Sequence, residues 1–259
     1  SNECSEKRWF GSTHDIKNTK VWLCGDLVEI NQYCIFNTPS CSFAIEMGHD
    51  LFAPIPPSSQ LSIMGAEIVL NLSAESVLAG KDDYLRNQIS SQSARCIGGY
   101  VYAGAGFGES STDIVFNAQA LIYENGKMLA ENLPFCTESQ LVFSEIDIEH
   151  IRSERRKNNI FSESARETQT NECVFINTDM MVSHSFALSR LYSPHPFIPD
   201  NKEALDKRAE EVYNIQTIGL AKRLKHTNCK SVVIGISGGL DSTLALLVTV
   251  GTYDLLGLN

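Results

Sequence analysis

The run Ser231-Val232-Val233-Ile234-Gly235-Ile236 is apolar and β-branched. It passes through Ser237-Gly238-Gly239-Leu240-Asp241-Ser242 directly into an apolar stretch that reaches Leu256. A short β-branched run has the pattern of a buried strand, and the stretch after the glycines is long enough for a helix. Strand, glycine loop and helix together form the unit from which α/β layers are built. Gly238 and Gly239 let the backbone approach an anion and take conformations that a Cβ forbids. The first turn of the following helix leaves N–H groups without intrahelical partners, and their dipole favours phosphate. Ser237 and Ser242 add hydroxyl donors, and Asp241 has the chemistry to hold a Mg²⁺ that bridges phosphate oxygens. The alternative is a glycine turn in which Asp241 or Ser242 only caps the helix. The G-x-x-x-x-G-K-[ST] spacing of the Walker loop is absent, which disfavours an ordinary kinase or ATPase.

The same alternation of strand and helix runs through the upstream part of the chain. Residues 42–46 and 66–70 read as strands. Between them an irregular loop is expected over 51–59, where Pro54, Pro56 and Pro57 remove donors and fix φ, followed by a helical stretch over 60–64. Residues 82–96 predict a helix. Residues 98–103, 113–123 and 128–132 predict three strands, the last two joined by Glu124-Asn125-Gly126-Lys127, because Asn-Gly readily takes positive φ at both central positions. Residues 153–172 are polar without clear periodicity and read as a solvated connection or an exposed helix. Gly104-Ala105-Gly106-Phe107-Gly108 imitates a dinucleotide fingerprint, but a strand follows it and the third glycine is one position early. Residues 192–200, with Pro194, Pro196 and Pro199, read as a linker. Asp200 and Glu203 then have capping-box spacing and open a helix of about 24 residues.

The 259 residues carry a formal charge of −10, which repels phosphate backbones and anionic membranes over a Debye length. Nucleic acid is therefore excluded as the default partner, although a local nucleotide pocket is not. Eight cysteines form no C-x-x-C pair and no zinc-ligand spacing, so reduced thiols are expected, as in the cytoplasm. Asn71-Leu72-Ser73 matches a glycosylation sequon, which has force only in a secreted protein. No apolar run approaches ~18 residues, so no membrane span is expected. The start has neither an initiator Met nor a signal-peptide core and reads as part of a longer polypeptide.

The loop Gly235 to Ser242 resembles that of the ATP pyrophosphatases, which adenylate a substrate and release pyrophosphate. Upstream, Ala44-Ile45-Glu46-Met47-Gly48-His49-Asp50-Leu51-Phe52, Pro56-Pro57-Ser58-Ser59, Gly65-Ala66-Glu67-Ile68-Val69-Leu70-Asn71-Leu72-Ser73-Ala74 and Gly80-Lys81 follow one another in order. Gln92-Ser93-Ala94-Arg95, Tyr100-Val101-Tyr102 and Gly108-Glu109-Ser110 continue the series, and Glu6-Lys7-Arg8-Trp9-Phe10 precedes it. This segment resembles the glutaminase domain of the glutamine-dependent NAD synthetase family, a branch of the nitrilase-like carbon-nitrogen hydrolases. The resemblance implies an α/β fold: a nitrilase-like four-layer α-β-β-α sandwich over 1–192, lacking its first elements. A linker and the first βα unit of a Rossmann-like ATP-pyrophosphatase domain would then occupy 193–259. It also implies ATP, Mg²⁺ and nicotinic acid adenine dinucleotide as ligands, NAD as product, glutamine or ammonia as nitrogen source, and a homo-oligomer. ATP would be bound by Gly235, Ile236, Ser237, Gly238, Gly239, Leu240, Asp241 and Ser242, with Mg²⁺ on Asp241.

In that family a Glu, Lys and Cys triad hydrolyses glutamine: the thiolate attacks the amide, the Glu moves protons and the Lys supports the charged intermediate. This sequence departs from the pattern at the nucleophile. Gly48 stands where the family's E-I-C-E-D-L-W has its cysteine, and His49 where it has the next acidic residue. Glu75 replaces the second serine of N-L-S-A-S, and Lys81 stands where the family has a basic substrate-binding residue, so both are candidates to contact glutamine. The triad Glu and Lys would lie before Glu3. Cys41, seven residues before Gly48 on the far end of one strand, would lie more than roughly 20 Å away if extended, too distant to substitute. The resemblance thus implies a glutaminase part without glutamine hydrolysis. The alternatives are a scaffold domain of an ammonia-dependent synthetase and a nitrilase-class amidase.

Overall fold

The computed structural model describes residues 19–109, 114–167, 173–180, 187, 188, 190–199 and 201–258. Cys4, residues 6–10, Ser110, Asp113, residues 168–172 and Asp200 lie outside them. The chain divides into two compact units, Ser1–Arg190 and Leu191–Asn259.

In the first unit, β1 (Thr19–Leu23) and β2 (Asp26–Ile30) form a hairpin whose turn places Cys24 and Gly25 at positive φ. The main sheet contains β3 (Cys34–Asn37), β4 (Ser42–Met47), β5 (Ile68–Ser73), β6 (Gly99–Gly104), β7 (Ala120–Glu124), β8 (Lys127–Glu131) and β9 (Val174–Asn177). Their spatial order is β8-β7-β6-β5-β4-β3-β9. The central strands β4, β5 and β6 run parallel, β7 and β8 are antiparallel additions, and β3 joins β4 antiparallel and β9 parallel. The sheet is mixed and the class is α/β, as the alternation predicts.

Helices α1 (Pro57–Ile63) and α2 (Lys81–Cys96) cover the face that carries Ala44, Val69, Tyr100, Tyr102 and Leu121, all buried. On the opposite face Ile45, Met47 and Leu72 are exposed. Helix α1 begins three residues earlier than the prolines suggest. Pro57 occupies its first position, where a missing N–H and a fixed φ do no harm. The Asn125-Gly126 turn has φ of 45° and 83°, as a type I′ hairpin demands. Strand β7 is shorter than the expected 113–123: Ala118 takes a φ of 54°, and the Asn132 side chain bonds both Ala120 N and Ala118 O, ending the ladder there.

Of the two readings of residues 153–172, the structure bears out the helix and not the solvated connection: α3 (Ile148–Lys157) starts earlier and packs inward, and α4 (Asn159–Glu167) buries no residue. Ile151 is fully buried. Arg155 donates to the carbonyls of Ile97, Ser62, Ala66 and Cys96 at 2.8–3.4 Å, and its guanidinium lies 4.9 Å over the Phe161 ring. Polar periodicity hides such a helix because its anchor is a cation bound to backbone oxygens.

The second unit contains α5 (Lys202–Thr227) and α6 (Leu240–Leu256). The α5 cap is Asn201, whose side chain accepts from Ala204 N at 2.7 Å. The capping function thus lies one residue beyond Asp200. The two helices approach closely at Gly251, beside Tyr213, and Thr252 donates to Thr217 O. Residues 231–236 are not a buried strand. They pair with no strand among the described residues, and Val233 is 97% exposed. A parallel strand is held by neighbours on its flanks, which this segment lacks here.

Candidate functional site

The sheet delivers Gly48 to the C-terminal end of β4, as the first residue of a 3₁₀ turn over Gly48–Phe52. Its φ is +51°, a left-handed conformation in which glycine is the unstrained residue. A Cβ built there would meet only Ser73 Oγ, at 3.9 Å. The elbow therefore has room for a Cβ and carries none. Asp50 stabilises the turn by accepting from Met47 N at 3.3 Å.

Glu75 follows β5 by two residues, and Lys81 opens α2 after Gly80, whose φ of +80° turns the chain. The structure brings these two sequence-derived candidates together as an ion pair, Lys81 Nζ on Glu75 Oε2. His49 completes the cluster, its Nε2 lying 2.7 Å from Glu75 Oε1. The Glu75 side chain is only 8% exposed, so its charge sits in a region of weak screening. The Phe52 ring adjoins the group: Lys81 Nζ is 5.6 Å from its centroid, His49 meets it edge-on and Tyr84 stacks on it.

Beside this cluster is a cavity of about 310 Å³ whose wall includes Phe52, Leu78, Leu85, Tyr102 and Phe135. Its volume is in the range of small-molecule sites. Two wall amides are committed to neighbours: Gln119 Nε2 donates to Asp82 at 2.5 Å, and Asn117 Nδ2 donates to Gln119 Oε1 at 3.3 Å. Burial pushes the Tyr102 hydroxyl pKa up, so the phenol stays protonated.

Behind the elbow lies a buried polar network that residue patterns do not reveal. Glu46, 2% exposed, accepts from Ser58 N at 2.9 Å and from the Tyr100 hydroxyl. Asn71 Nδ2 lies 2.9 Å from Tyr100 Oη, 3.4 Å from Glu46 Oε1 and 3.5 Å from the Gly48 carbonyl. Burial, reinforced by the Glu46 charge, holds the Tyr100 hydroxyl far above its ordinary pKa. Asn71 is 1% exposed, which removes the sequon as an acceptor in the folded chain. The only advance signal of this network was a carboxylate and an amide inside apolar strands.

Cys41 and Cys96, among the described residues, are not suited to replace a nucleophile at the elbow. Cys41 immediately precedes β4 and bonds with Thr38, with the length of the strand between it and Gly48. Cys96 is buried, and burial raises its pKa, which makes it a poor nucleophile. Among the described residues, no group of three or more His, Cys, Asp or Glu is arranged to hold a metal ion. No helix there is long and apolar enough to cross a membrane.

In the second unit Gly238 has φ +85°, and Gly239 occupies the N-cap of α6 with no side chain bonding the helix end. Ser242 Oγ donates to Gly239 O at 3.1 Å and is 3.3 Å from Ser237 Oγ. The loop 237–242 is largely exposed, and Asp241 lies in the first turn of α6. The Gly104–Gly108 segment leads into no helix among the described residues, in keeping with its rejection as a dinucleotide loop.

No protein-family model matches the chain. It is 36% identical over 219 residues to the glutamine-dependent NAD(+) synthetase of Mycobacterium tuberculosis, covering 83% of this chain and 32% of that protein. Over that stretch the chain is a homologue of the glutamine-dependent NAD(+) synthetases. The Mycobacterium leprae synthetase is likewise 36% identical, over 213 residues that make up 81% of this chain and 31% of that protein. A solved glutamine-dependent NAD(+) synthetase from Cytophaga hutchinsonii superposes with a TM-score of 0.45 at 21% identity, over 53% of this chain and 22% of that one. The chain spans about a third of the length of the curated synthetases it matches.

Proposed function

We propose that the protein catalyses ATP-dependent amidation of nicotinic acid adenine dinucleotide to NAD, and that its glutaminase-like part does not hydrolyse glutamine. Residues 1–192 are then the glutaminase-like domain and 193–259 the linker and beginning of the synthetase domain, of Rossmann-like ATP-pyrophosphatase type. The 36% identity to named synthetases supports the first half of the reading. The observation that carries the second is Gly48, an elbow residue with no side chain where a Cβ would meet only Ser73 Oγ. Loss of a nucleophile commonly lowers kcat on the order of 10⁶-fold.

The residues present have distinct tasks in this reading. The unblocked start of α6, with Gly238 and Gly239 giving close backbone access, suits the triphosphate of ATP. The hydroxyls of Ser237 and Ser242 orient phosphate oxygens. Asp241 is a hard oxygen ligand next to them, which fits Mg²⁺ held mainly by phosphate. When bound, that ion neutralises phosphate charge. At the elbow, Asn71 holds the carbonyl of Gly48, and Glu75 and Lys81 line the cavity beside their ion pair.

The test is NAD formation by the intact protein from ATP, Mg²⁺ and the deamido dinucleotide, with ammonium or glutamine as the nitrogen source. Ammonium is expected to support synthesis and glutamine not. Glutamine-supported turnover that a thiol alkylator abolishes would overturn the silent-glutaminase half. Absence of synthesis with either source would overturn the whole.

A further inference from the structure

We propose that Glu75 determines the specificity of the cavity it lines by acting as an internal counter-ion to Lys81. It thereby closes the cavity to carboxylate-bearing ligands and leaves it to small uncharged molecules with an apolar body. Lys81 is the one cationic side chain among the described residues lining that cavity, so an incoming carboxylate has no other cation to meet. Glu75 already occupies it. Glu75 Oε2 is taken by Lys81, Oε1 lies 2.7 Å from His49 Nε2, and the side chain is 8% exposed.

A ligand carboxylate that takes Lys81 must leave a buried charge short of a partner, which costs more than an exposed ion pair returns. The other charge on the wall is also spent: Asp82 is bonded by Arg86 Nε at 2.7 Å and by Gln119. The remaining wall is largely apolar, from Phe52, Leu78, Leu85 and Phe135. A neutral body of modest size fits about 310 Å³ without breaking any of these pairs. The inference rests on the proposed function only in naming glutamine as the molecule turned away.

The experiment is isothermal titration of glutarate, and separately of glutamine, into the intact protein. It compares the wild type with Glu75→Ser, Glu75→Gln and Glu75→Ser combined with Lys81→Met. Release of Lys81 is worth a charged hydrogen bond, so both single variants are expected to bind glutarate roughly tenfold or more tighter than the wild type. Lys81→Met is expected to abolish that gain. Circular dichroism confirms that each variant is folded, and Glu75→Gln preserves the shape of the side chain.

Wild-type affinity equal to that of the Glu75 variants overturns the proposal, as does a gain that survives Lys81→Met. Tight glutarate binding by the wild type overturns it without any variant. If that happens while NAD still forms from ammonia, the gating role of Glu75 falls and the synthetase reading stands. A Lys81-dependent gain without NAD formation supports the gate and removes the synthetase reading.

Discussion

Tyr100 on β6 donates its phenolic hydrogen to Glu46 on β4, reaching past the intervening strand β5, whose Asn71 amide donates to the same hydroxyl. Three neighbouring strands are thus tied by one buried polar network directly behind the Gly48 elbow. Replacing Tyr100 by Phe leaves Glu46 with one donor fewer in a site that water does not reach. The expected loss is about 1–3 kcal/mol of stability, read as a lowered urea midpoint at unchanged m-value.

Gly48→Cys is expected to fold. The new Cβ meets nothing closer than Ser73 Oγ at 3.9 Å, but it must accept a φ of +51°. The strain is about 1–2 kcal/mol, measurable by the same denaturation. A variant that aggregates or loses its secondary structure would contradict the open geometry of the elbow.

Arg155 is held by four carbonyls and no carboxylate, and burial pushes its pKa down to about 10. It remains charged at neutral pH. Arg155→Met removes every donor at once and leaves the C-terminal end of α2 and the turn after α1 with unpaired oxygens. A loss of about 3 kcal/mol or more is expected, with Arg155→Lys recovering only part, because a single ammonium lacks the planar fork.

Burial works to raise the pKa of the Asp82 carboxyl, but hydrogen bonds from Arg86 and Gln119 outweigh it and hold it below the usual range. A depressed carboxylate stabilises the fold above its unfolded pKa, near 4. That contribution is lost as pH falls through the folded value. The side chain is half exposed, so the effect is modest. Asp82→Asn is expected to lower the neutral plateau of a thermal-stability profile slightly and to flatten its acid limb below about pH 4. An unchanged acid limb would refute the assignment.

In the second unit a Cβ at Gly251 would sit 2.0 Å from the Tyr213 hydroxyl. Gly251→Ala is expected to destabilise by about 1–3 kcal/mol through overpacking. Adding Tyr213→Phe should relieve part of that loss, even though Tyr213 also gives up its hydrogen bond to Leu247 O. A double-mutant cycle reads the coupling.

Elements with strong local codes were legible in advance. Strands β4 and β5, helix α2 and the Asn125-Gly126 hairpin follow from β-branched runs, helical spacing and a turn that needs positive φ. Helix α3 was obscured because its buried anchor is Arg155, a residue type that sequence patterns assign to water. The segment 231–236 misled in the opposite direction: its composition is that of a buried strand, but a strand exists only where a neighbour accepts its hydrogen bonds.

The residues alone settle that position 48 is a glycine, since no fold can supply a side chain the residue lacks. They also settle the glycine and serine content of the loop 237–242. Only the tertiary structure decided that Glu75 meets both His49 and Lys81, that Asn71 faces the interior, and that Cys41 stays at the opposite end of its strand from Gly48. These facts depend on how the ends of β4, β5 and α2 converge. Side-chain distance across strands is set by sheet register, which no local run of residues encodes.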